Sequence, residues 1–189
     1  MVSNNYVHEI SDDLFTLSDD DKTFLEALKE AHKDDTGAWL ASNNLTMQSG
    51  YKQWHIKDGS DEEKANSLWN KISTLFTKTS RNSVERVVEK AQLARVVGEL
   101  KIHVDYRATI LTIPLVDLSK PITFWSSRNE DKEILYQYTY TKYKPLLVNT
   151  HIEHNVIDND EDRIFLQLGG FKKEEGDTFQ QVVEKLPAG

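Results

Sequence analysis

The 189-residue chain contains no cysteine. This absence excludes a disulfide framework and any metal site with thiolate ligands. No apolar run approaches the roughly 18 residues of a membrane span. The first fifteen residues, MVSNNYVHEISDDLF, also lack the basic region and apolar stretch of a signal peptide. Together these absences favour a cytoplasmic protein, and a reducing compartment is compatible with the lack of cysteine.

Positive charge is also in short supply. The chain has 23 lysines and arginines against 31 acidic residues, which gives a formal net charge of −8. A surface of this sign repels phosphate backbones, so nucleic acid is not expected as a partner. The acidic clusters Asp19–Asp21, Asp61–Glu63 and Asp158–Asp162 are interpreted as solvated loops and helix starts.

The first half of the sequence has helical periodicity. Ser18 is predicted to cap a helix that begins at Asp19, and Ser60 with Glu63 matches a capping box before a second amphipathic stripe. A third apolar stripe predicts a helix over Val84–Val97.

From residue 100 onwards the pattern becomes that of strands, with alternating or β-branched runs. Strands are predicted at Leu100–Tyr106, Ala108–Leu115, Ile122–Trp125, Glu133–Tyr143, Leu146–Val156 and Ile164–Leu168. Helices followed by strands indicate an α+β chain with a mainly β core, built as a helix-supported sandwich or barrel. We therefore expect one domain over residues 1–189, with mostly helical support from 1–99 and the β core in 100–170.

A histidine and an acid lie two residues apart in the first predicted strand. His103 and Asp105 therefore project from the same face, side by side, as neighbouring metal ligands do. Alone, this pair is a weak signal, because a surface salt bridge would have the same spacing.

A second histidine strengthens the hypothesis of a metal site. His154 lies near the end of a predicted strand, 51 residues after His103, and Arg163 opens the next strand nine residues later. Two histidines and one carboxylate can occupy one face of an octahedral iron(II), which leaves positions for a chelating cosubstrate and O2. The planar fork of an arginine could bind a distal carboxylate of that cosubstrate.

His151 is a competing third ligand. It lies three residues before His154, so the two face opposite sides of a regular strand. His154 shares its side with Ile152 and Val156, which is typical of an inward-facing stretch, and we favour it over His151.

The segments HVDYRATILTIPL, LLVNTHIEHNV and EDRIFLQL together resemble the iron(II)/2-oxoglutarate oxygenase superfamily. Its signature is His-x-Asp, a distal histidine about fifty residues later and a basic residue about ten beyond that. The apolar strand that ends in Pro-Leu is similar to the aspartyl/asparaginyl β-hydroxylase-like and bacterial proline hydroxylase-like branches. The resemblance covers about residues 100–168.

The resemblance implies a double-stranded β-helix, the cupin-like jelly roll, with the N-terminal helices as buttress. It implies that His103, Asp105 and His154 bind iron(II) and that Arg163 binds 2-oxoglutarate. The implied reaction uses O2 to hydroxylate a substrate C–H bond and converts 2-oxoglutarate to succinate and CO2. Members that halogenate replace the aspartate with a small residue, so Asp105 favours hydroxylation.

The remaining site predictions concern contacts around this centre. Some branches carry a serine two residues after the arginine, where this chain has Phe165. A tyrosine must then supply any hydroxyl contact to 2-oxoglutarate; Tyr136, Tyr138 and Tyr140 are candidates, and Tyr138 is our choice. Arg107 and Trp125 are predicted to contact the substrate.

The substrate is expected to be an amino acid or a small peptide-like molecule, with a protein side chain as the alternative. Two other functions stay open: a non-catalytic jelly-roll binding module, and a zinc or nickel cupin-type enzyme with the same donor set. The sequence does not indicate the oligomeric state.

Overall fold

The computed structural model describes residues 3–32, 51–56, 59–76, 91–96, 100–105, 109–157, 161–171 and 178–187. Within these ranges lie ten strands and three helices. The strands are β1 (Val7–Glu9), β2 (Tyr51–His55), β3 (Gln92–Val96), β4 (Leu100–His103), β5 (Thr109–Pro114), β6 (Ile122–Trp125), β7 (Ile134–Tyr138), β8 (Leu146–Val148), β9 (His154–Val156) and β10 (Arg163–Phe171), and the helices are α1 (Asp19–Ala31), α2 (Gly59–Ser73) and α3 (Phe179–Val183).

The strands form two antiparallel sheets. The larger has the order β1-β8-β5-β10-β3-β2 and the smaller the order β4-β9-β6-β7. From β3 to β10 the chain passes back and forth between them, with β4, β6, β7 and β9 in the smaller sheet. The two sheets share one apolar core, to which the larger contributes residues such as Leu146 and Phe165 and the smaller Ile122 and Phe124. The prediction of a mainly β core with a few helices is confirmed.

Helices α1 and α2 cover the other side of the larger sheet. Ser18 caps α1, as the sequence predicted, and it also forms a capping box with Asp21. The buried faces of both helices join a second apolar cluster with side chains of the larger sheet, among them Phe24, Leu25, Leu68, Ile72, Leu93, Ile113 and Leu166. The larger sheet is therefore covered on both faces, by the helices on one and by the smaller sheet on the other.

The predicted helix over Val84–Val97 is wrong for its second part, because Gln92–Val96 forms β3. The strand lies between β2 and β10 and is buried on both faces, so its apolar residues are nearly continuous and also match helical spacing. Residues 77–90 lie outside the described residues. With β1 and β2, β3 also brings three strands into the first 99 residues, where we expected mostly helix.

The long strand predicted over Leu146–Val156 is two strands, β8 and β9, which belong to different sheets. A turn around Thr150 and His151 connects them. Among the described residues, no helix combines the length and the apolar character needed to cross a membrane.

Candidate metal centre

Three potential metal ligands meet at one end of the smaller sheet. His103 is the last residue of β4 and pairs directly with His154, the first residue of β9. Their ring centroids are 4.4 Å apart, and His103 Nε2 is 3.7 Å from Asp105 Oδ1. One nitrogen or oxygen from each of the three lies within 4.8 Å of the others, so the group could hold a metal ion.

Asp105 joins the group from beyond the end of β4. The sequence argument placed it on the same strand as His103, but the strand stops at His103. The backbone N–H of Asp105 instead donates to the carbonyl of Thr150, at 2.8 Å, which ties this segment to the turn before β9. His151 lies in that turn with its side chain exposed, whereas His154 is buried.

Backbone carbonyls orient both imidazoles in the same way. His103 Nδ1 donates to the carbonyl of Lys101 and His154 Nδ1 donates to that of Ile152, each at 2.8 Å. A carbonyl can only accept, so Nδ1 carries the proton in each ring and Nε2 keeps a lone pair. This arrangement, a second contact that fixes the tautomer of a histidine, is typical of metal-binding histidines.

Burial also favours the neutral form of the His154 imidazole. Its pKa is lowered, chiefly because burial disfavours the charged imidazolium; His103 acts in the same direction, while Asp105 opposes the shift. The ring packs 6.1 Å, centroid to centroid, from the fully buried ring of Phe124 on β6. His154 is therefore neutral at pH 7, the form that binds metal ions.

The donor set fits iron(II). Two imidazole nitrogens and one carboxylate are the ligands of a facial triad, although a catalytic zinc ion can use the same set. The side chains of His103 and Asp105 are each about one third exposed, at 33% and 34%, so the group is open to solvent on their side.

Arg163, at the start of β10, is 1% exposed. Its Nη2 donates to the carbonyl of Lys120 and lies 4.0 Å from a carboxylate oxygen of Glu161. That carboxylate also accepts from Ser119 and Lys120, and these hydrogen bonds, led by the Ser119 side chain, lower the pKa of Glu161 to about 2. A buried cation thus stands on the larger sheet beside the carboxylate of Glu161, which also accepts hydrogen bonds from Ser119 and Lys120.

Tyr140 lies beside this cation. Its ring centroid is 6.0 Å from Arg163 Cζ, and its pKa is raised, first by burial and further by the charge of Asp105, against the influence of Arg163. Tyr138, our choice from the sequence, instead donates its hydroxyl to Glu9 at 2.7 Å. The geometry therefore favours Tyr140 as the hydroxyl that could contact a molecule between Arg163 and Asp105.

Of the two residues predicted to contact substrate, Trp125 is described and is not brought to this centre. Arg107 lies outside the described residues. Trp125 is buried and donates its indole N–H to Asn155 Oδ1 at 2.7 Å. Because Asn155 follows His154 directly in β9, these two side chains point to opposite faces of the sheet. Trp125 thus lines a cavity on the face away from the imidazoles.

Sequence reasoning missed Phe124, Lys120 and Glu161. Phe124 lies in a short apolar strand without a pattern that could single it out, and the contact from Lys120 comes from its backbone, which leaves no signal in the sequence. Glu161 was visible only as part of an acidic turn.

A comparison with models of protein families finds no match, and a comparison with curated protein sequences finds none either. The structure is similar to a prolyl hydroxylase from Trichoplax adhaerens, in complex with a peptide fragment of the hypoxia inducible factor oxygen degradation domain. The TM-score is 0.55 at 16% identity, over 90% of this chain and 86% of that one. A prolyl-4-hydroxylase from Pseudomonas putida gives a TM-score of 0.50 at 11% identity, over 89% and 92%.

Prolyl hydroxylases are members of the superfamily that the sequence motifs resemble. At these identities the likeness shows a shared fold, and the resemblance found in the sequence is confirmed at that level.

Proposed function

We propose that this chain is an iron(II)- and 2-oxoglutarate-dependent oxygenase that hydroxylates a C–H bond of an amino acid or a peptide-like substrate. The observation that carries the proposal is the convergence of two Nδ1-protonated imidazoles and one carboxylate within 4.8 Å. The double-stranded β-helix is part of the proposal, and the antiparallel sheets, with a chain that passes back and forth between them, support it.

His103, Asp105 and His154 would hold iron(II), with Nε2 of each imidazole and a carboxylate oxygen as donors. With 2-oxoglutarate and O2 bound, the metal would supply the oxidation of the substrate C–H bond, with succinate and CO2 as the other products. The role of the carbonyls of Lys101 and Ile152 is to keep both imidazoles in the ligating tautomer.

Arg163 would bind the distal carboxylate of 2-oxoglutarate. The guanidinium is fixed by the Lys120 carbonyl, so little side-chain entropy is lost when an anion binds. Its desolvated surroundings strengthen attraction to a carboxylate over that at an exposed site. Tyr140 could donate its hydroxyl to the same anion, because its raised pKa keeps it protonated.

The donor set by itself does not separate iron from zinc chemistry, so the test must include the cosubstrate. The chain is titrated anaerobically with iron(II), with 2-oxoglutarate and with both. We expect a metal-to-cosubstrate charge-transfer band only when both are present. Its absence would contradict the proposal, and tight zinc binding that is indifferent to 2-oxoglutarate would favour the cupin-type zinc enzyme.

Two histidine variants provide a matched pair for this titration. His103→Ala removes a proposed ligand and should abolish the band. His151→Ala removes an exposed histidine of the nearby turn and should leave the band intact. The reverse result would mean that the ligand assignment is wrong.

The substrate is sought by mass spectrometry, as a gain of one oxygen that depends on 2-oxoglutarate. The Trichoplax neighbour was solved with a peptide fragment, so peptides are tested beside free amino acids and folded proteins. Hydroxylation of a protein side chain is the alternative within the same chemistry. A cytoplasmic location remains a prediction from the sequence.

A further inference from the structure

The turn between β8 and β9, residues 149–152, presents two backbone carbonyls to the proposed metal ligands. The carbonyl of Thr150 accepts from the backbone N–H of Asp105, at 2.8 Å. The carbonyl of Ile152 accepts from Nδ1 of His154, also at 2.8 Å. Two of the three proposed ligands therefore take their position from one short turn.

Asn149 is the first residue of this turn, and both ends of its side-chain amide are engaged. Its Oδ1 accepts from the backbone N–H of His151 at 3.2 Å, which is the contact of an Asx turn. Its Nδ2 donates to the carbonyl of Asn5 at 2.9 Å, and its backbone N–H donates to the carbonyl of Tyr6 at 2.8 Å. One residue thus closes the turn and fastens it to the N-terminal segment, residues 4–7.

The N-terminal segment is itself well fixed, so it gives the turn a firm support. Asn4 Oδ1 accepts from the backbone N–H groups of Tyr6 and Val7, at 2.8 and 2.9 Å. Val7 begins β1, which pairs with β8 in the larger sheet. The ring centroid of Tyr6 is 5.2 Å from that of Phe124, the ring that packs against His154. The segment therefore contacts the surroundings of the metal centre through both its backbone and a side chain.

We propose that Asn149 is a positioning residue of the metal centre: its side chain sets the turn whose carbonyls orient Asp105 and His154. The proposal rests on the metal centre of the proposed function and is independent of 2-oxoglutarate. Partners of the ligands hold them in the binding geometry before the ion arrives, and their loss typically costs about 10- to 100-fold in metal affinity. An asparagine suits this place because one short, uncharged side chain offers both a donor and an acceptor.

His103 provides an internal reference for this role. Its Nδ1 donates to the carbonyl of Lys101, a residue of its own strand β4, at 2.8 Å. That contact does not involve the turn, so the loss of the Asn149 side chain should leave the His103 imidazole protonated at Nδ1. The imidazole of His154 should instead lose its preference for this tautomer, because the Ile152 carbonyl is no longer held in place.

The test compares Asn149→Ala with Asn149→Ser and with the control Ser126→Ala, each in the full chain. Serine keeps an oxygen that can accept from the N–H two residues on, but its shorter side chain does not span the distance to the carbonyl of Asn5. The control removes one side-chain contact of the same kind, from Ser126 Oγ to the backbone N–H of Glu133, in the connection between β6 and β7. Thermal unfolding of each variant reports its stability.

Metal binding is measured by anaerobic calorimetry with iron(II), and again with cobalt(II) as a second probe. Asn149→Ala should raise the metal Kd about tenfold or more and Asn149→Ser by a smaller factor, whereas Ser126→Ala should leave the Kd within about twofold. Proton–nitrogen NMR spectra of the metal-free proteins at about pH 8, where histidine is neutral, report the tautomers. The Nε2-protonated form of His154 should appear in Asn149→Ala and not in the control, while His103 keeps its proton on Nδ1.

An equal rise of the metal Kd in Asn149→Ala and Ser126→Ala would overturn the proposal, as would a His154 tautomer that Asn149→Ala leaves unchanged. If Asn149→Ala is unfolded, Asn149→Ser provides the same comparison. A wild type that binds neither metal would overturn the metal centre and this proposal with it. Weaker metal binding by Asn149→Ala, in a protein that gives no charge-transfer band with 2-oxoglutarate, would support the role of Asn149 and contradict the oxygenase function.

Discussion

Arg163 offers the most decisive test of the cosubstrate site, because its replacement should separate affinity from stability. We consider Arg163→Met, which keeps much of the side-chain volume and removes the charge. If the guanidinium binds the distal carboxylate of 2-oxoglutarate, the variant leaves that carboxylate in a desolvated place without its partner. Loss of one partner from a buried charge pair costs about 3–5 kcal/mol, which corresponds to a rise in Kd of about 150- to 4,000-fold.

The effect of the same change on folding should be much smaller. The variant loses the hydrogen bond to the Lys120 carbonyl, worth about 1.5–3 kcal/mol for a charged donor. It also removes the cost of burying a charge that is 1% exposed. The carboxylate of Glu161 keeps its contacts with Ser119 and Lys120. We therefore expect the free energy of unfolding to fall by no more than about 2 kcal/mol.

The assay is calorimetric titration of 2-oxoglutarate into the anaerobic iron(II) form, with chemical denaturation of each protein alongside. Arg95→Met is the matched control, because Arg95 lies on the neighbouring strand β3, pairs with Asp162 at 2.5 Å and faces away from the core between the sheets. An unchanged 2-oxoglutarate Kd in Arg163→Met, or an equal rise in Arg95→Met, would refute the reasoning.

Three further predictions test the surroundings of the centre. Tyr140→Phe should raise the Kd of 2-oxoglutarate about tenfold in calorimetry, as for one lost hydrogen bond. Tyr138→Phe should leave this Kd unchanged and lower the free energy of unfolding by about 1 kcal/mol in denaturation, because its hydrogen bond to Glu9 is lost. The reverse result would mean that Tyr138 contacts 2-oxoglutarate. Burial alone would raise the pKa of Glu26, but hydrogen bonds from two lysines and a tyrosine lower it from 4.5 to about 2. These contacts therefore stabilise the fold above about pH 5, and this stabilisation is lost as the pH falls towards 2. The difference in melting temperature between wild type and Glu26→Gln should shrink to zero over that interval. A difference that does not change with pH would contradict the lowered pKa of Glu26. Phe124→Ala should cost about 3–5 kcal/mol in denaturant unfolding, because the ring is fully buried between the sheets; a cost below 1 kcal/mol would mean that the site collapses around the cavity.

Part of the centre could be predicted because ligand chemistry is local. Residue types, and the rule that alternate strand residues share one face, were enough to propose His103, Asp105 and His154 as metal ligands and to prefer His154 over His151. The structure brings the same three side chains together. Asp105 reaches the group in a different way from the one predicted. Strand β4 ends at His103, and a backbone hydrogen bond to Thr150 determines the position of Asp105. The spacing of two residues therefore predicted correctly that His103 and Asp105 lie close together, although the strand is shorter than predicted.

The β3 strand shows where local pattern fails. Ala91, Ala94 and Val97 recur at helical spacing, yet Gln92–Val96 forms a strand that is buried on both faces. Pairing with β2 and β10 decides in favour of the strand, because those contacts satisfy its backbone and bury both of its faces. Periodicity carries no information about distant partners, so the sequence could not make this distinction.

The sequence by itself determined which donors are available to a metal, and that an arginine follows the second histidine nine residues later. Only the tertiary structure decided which aromatic groups face that arginine. Tyr138 and Tyr140 are two residues apart, so the sequence predicts the same face for both. In the structure Tyr138 donates to Glu9, whereas Tyr140 lies beside Arg163. Trp125 likewise faces a cavity behind the sheet rather than the metal centre. The direction in which a strand turns its side chains depends on the sheet it joins and on its bulges, and these are set by contacts between residues far apart in the chain.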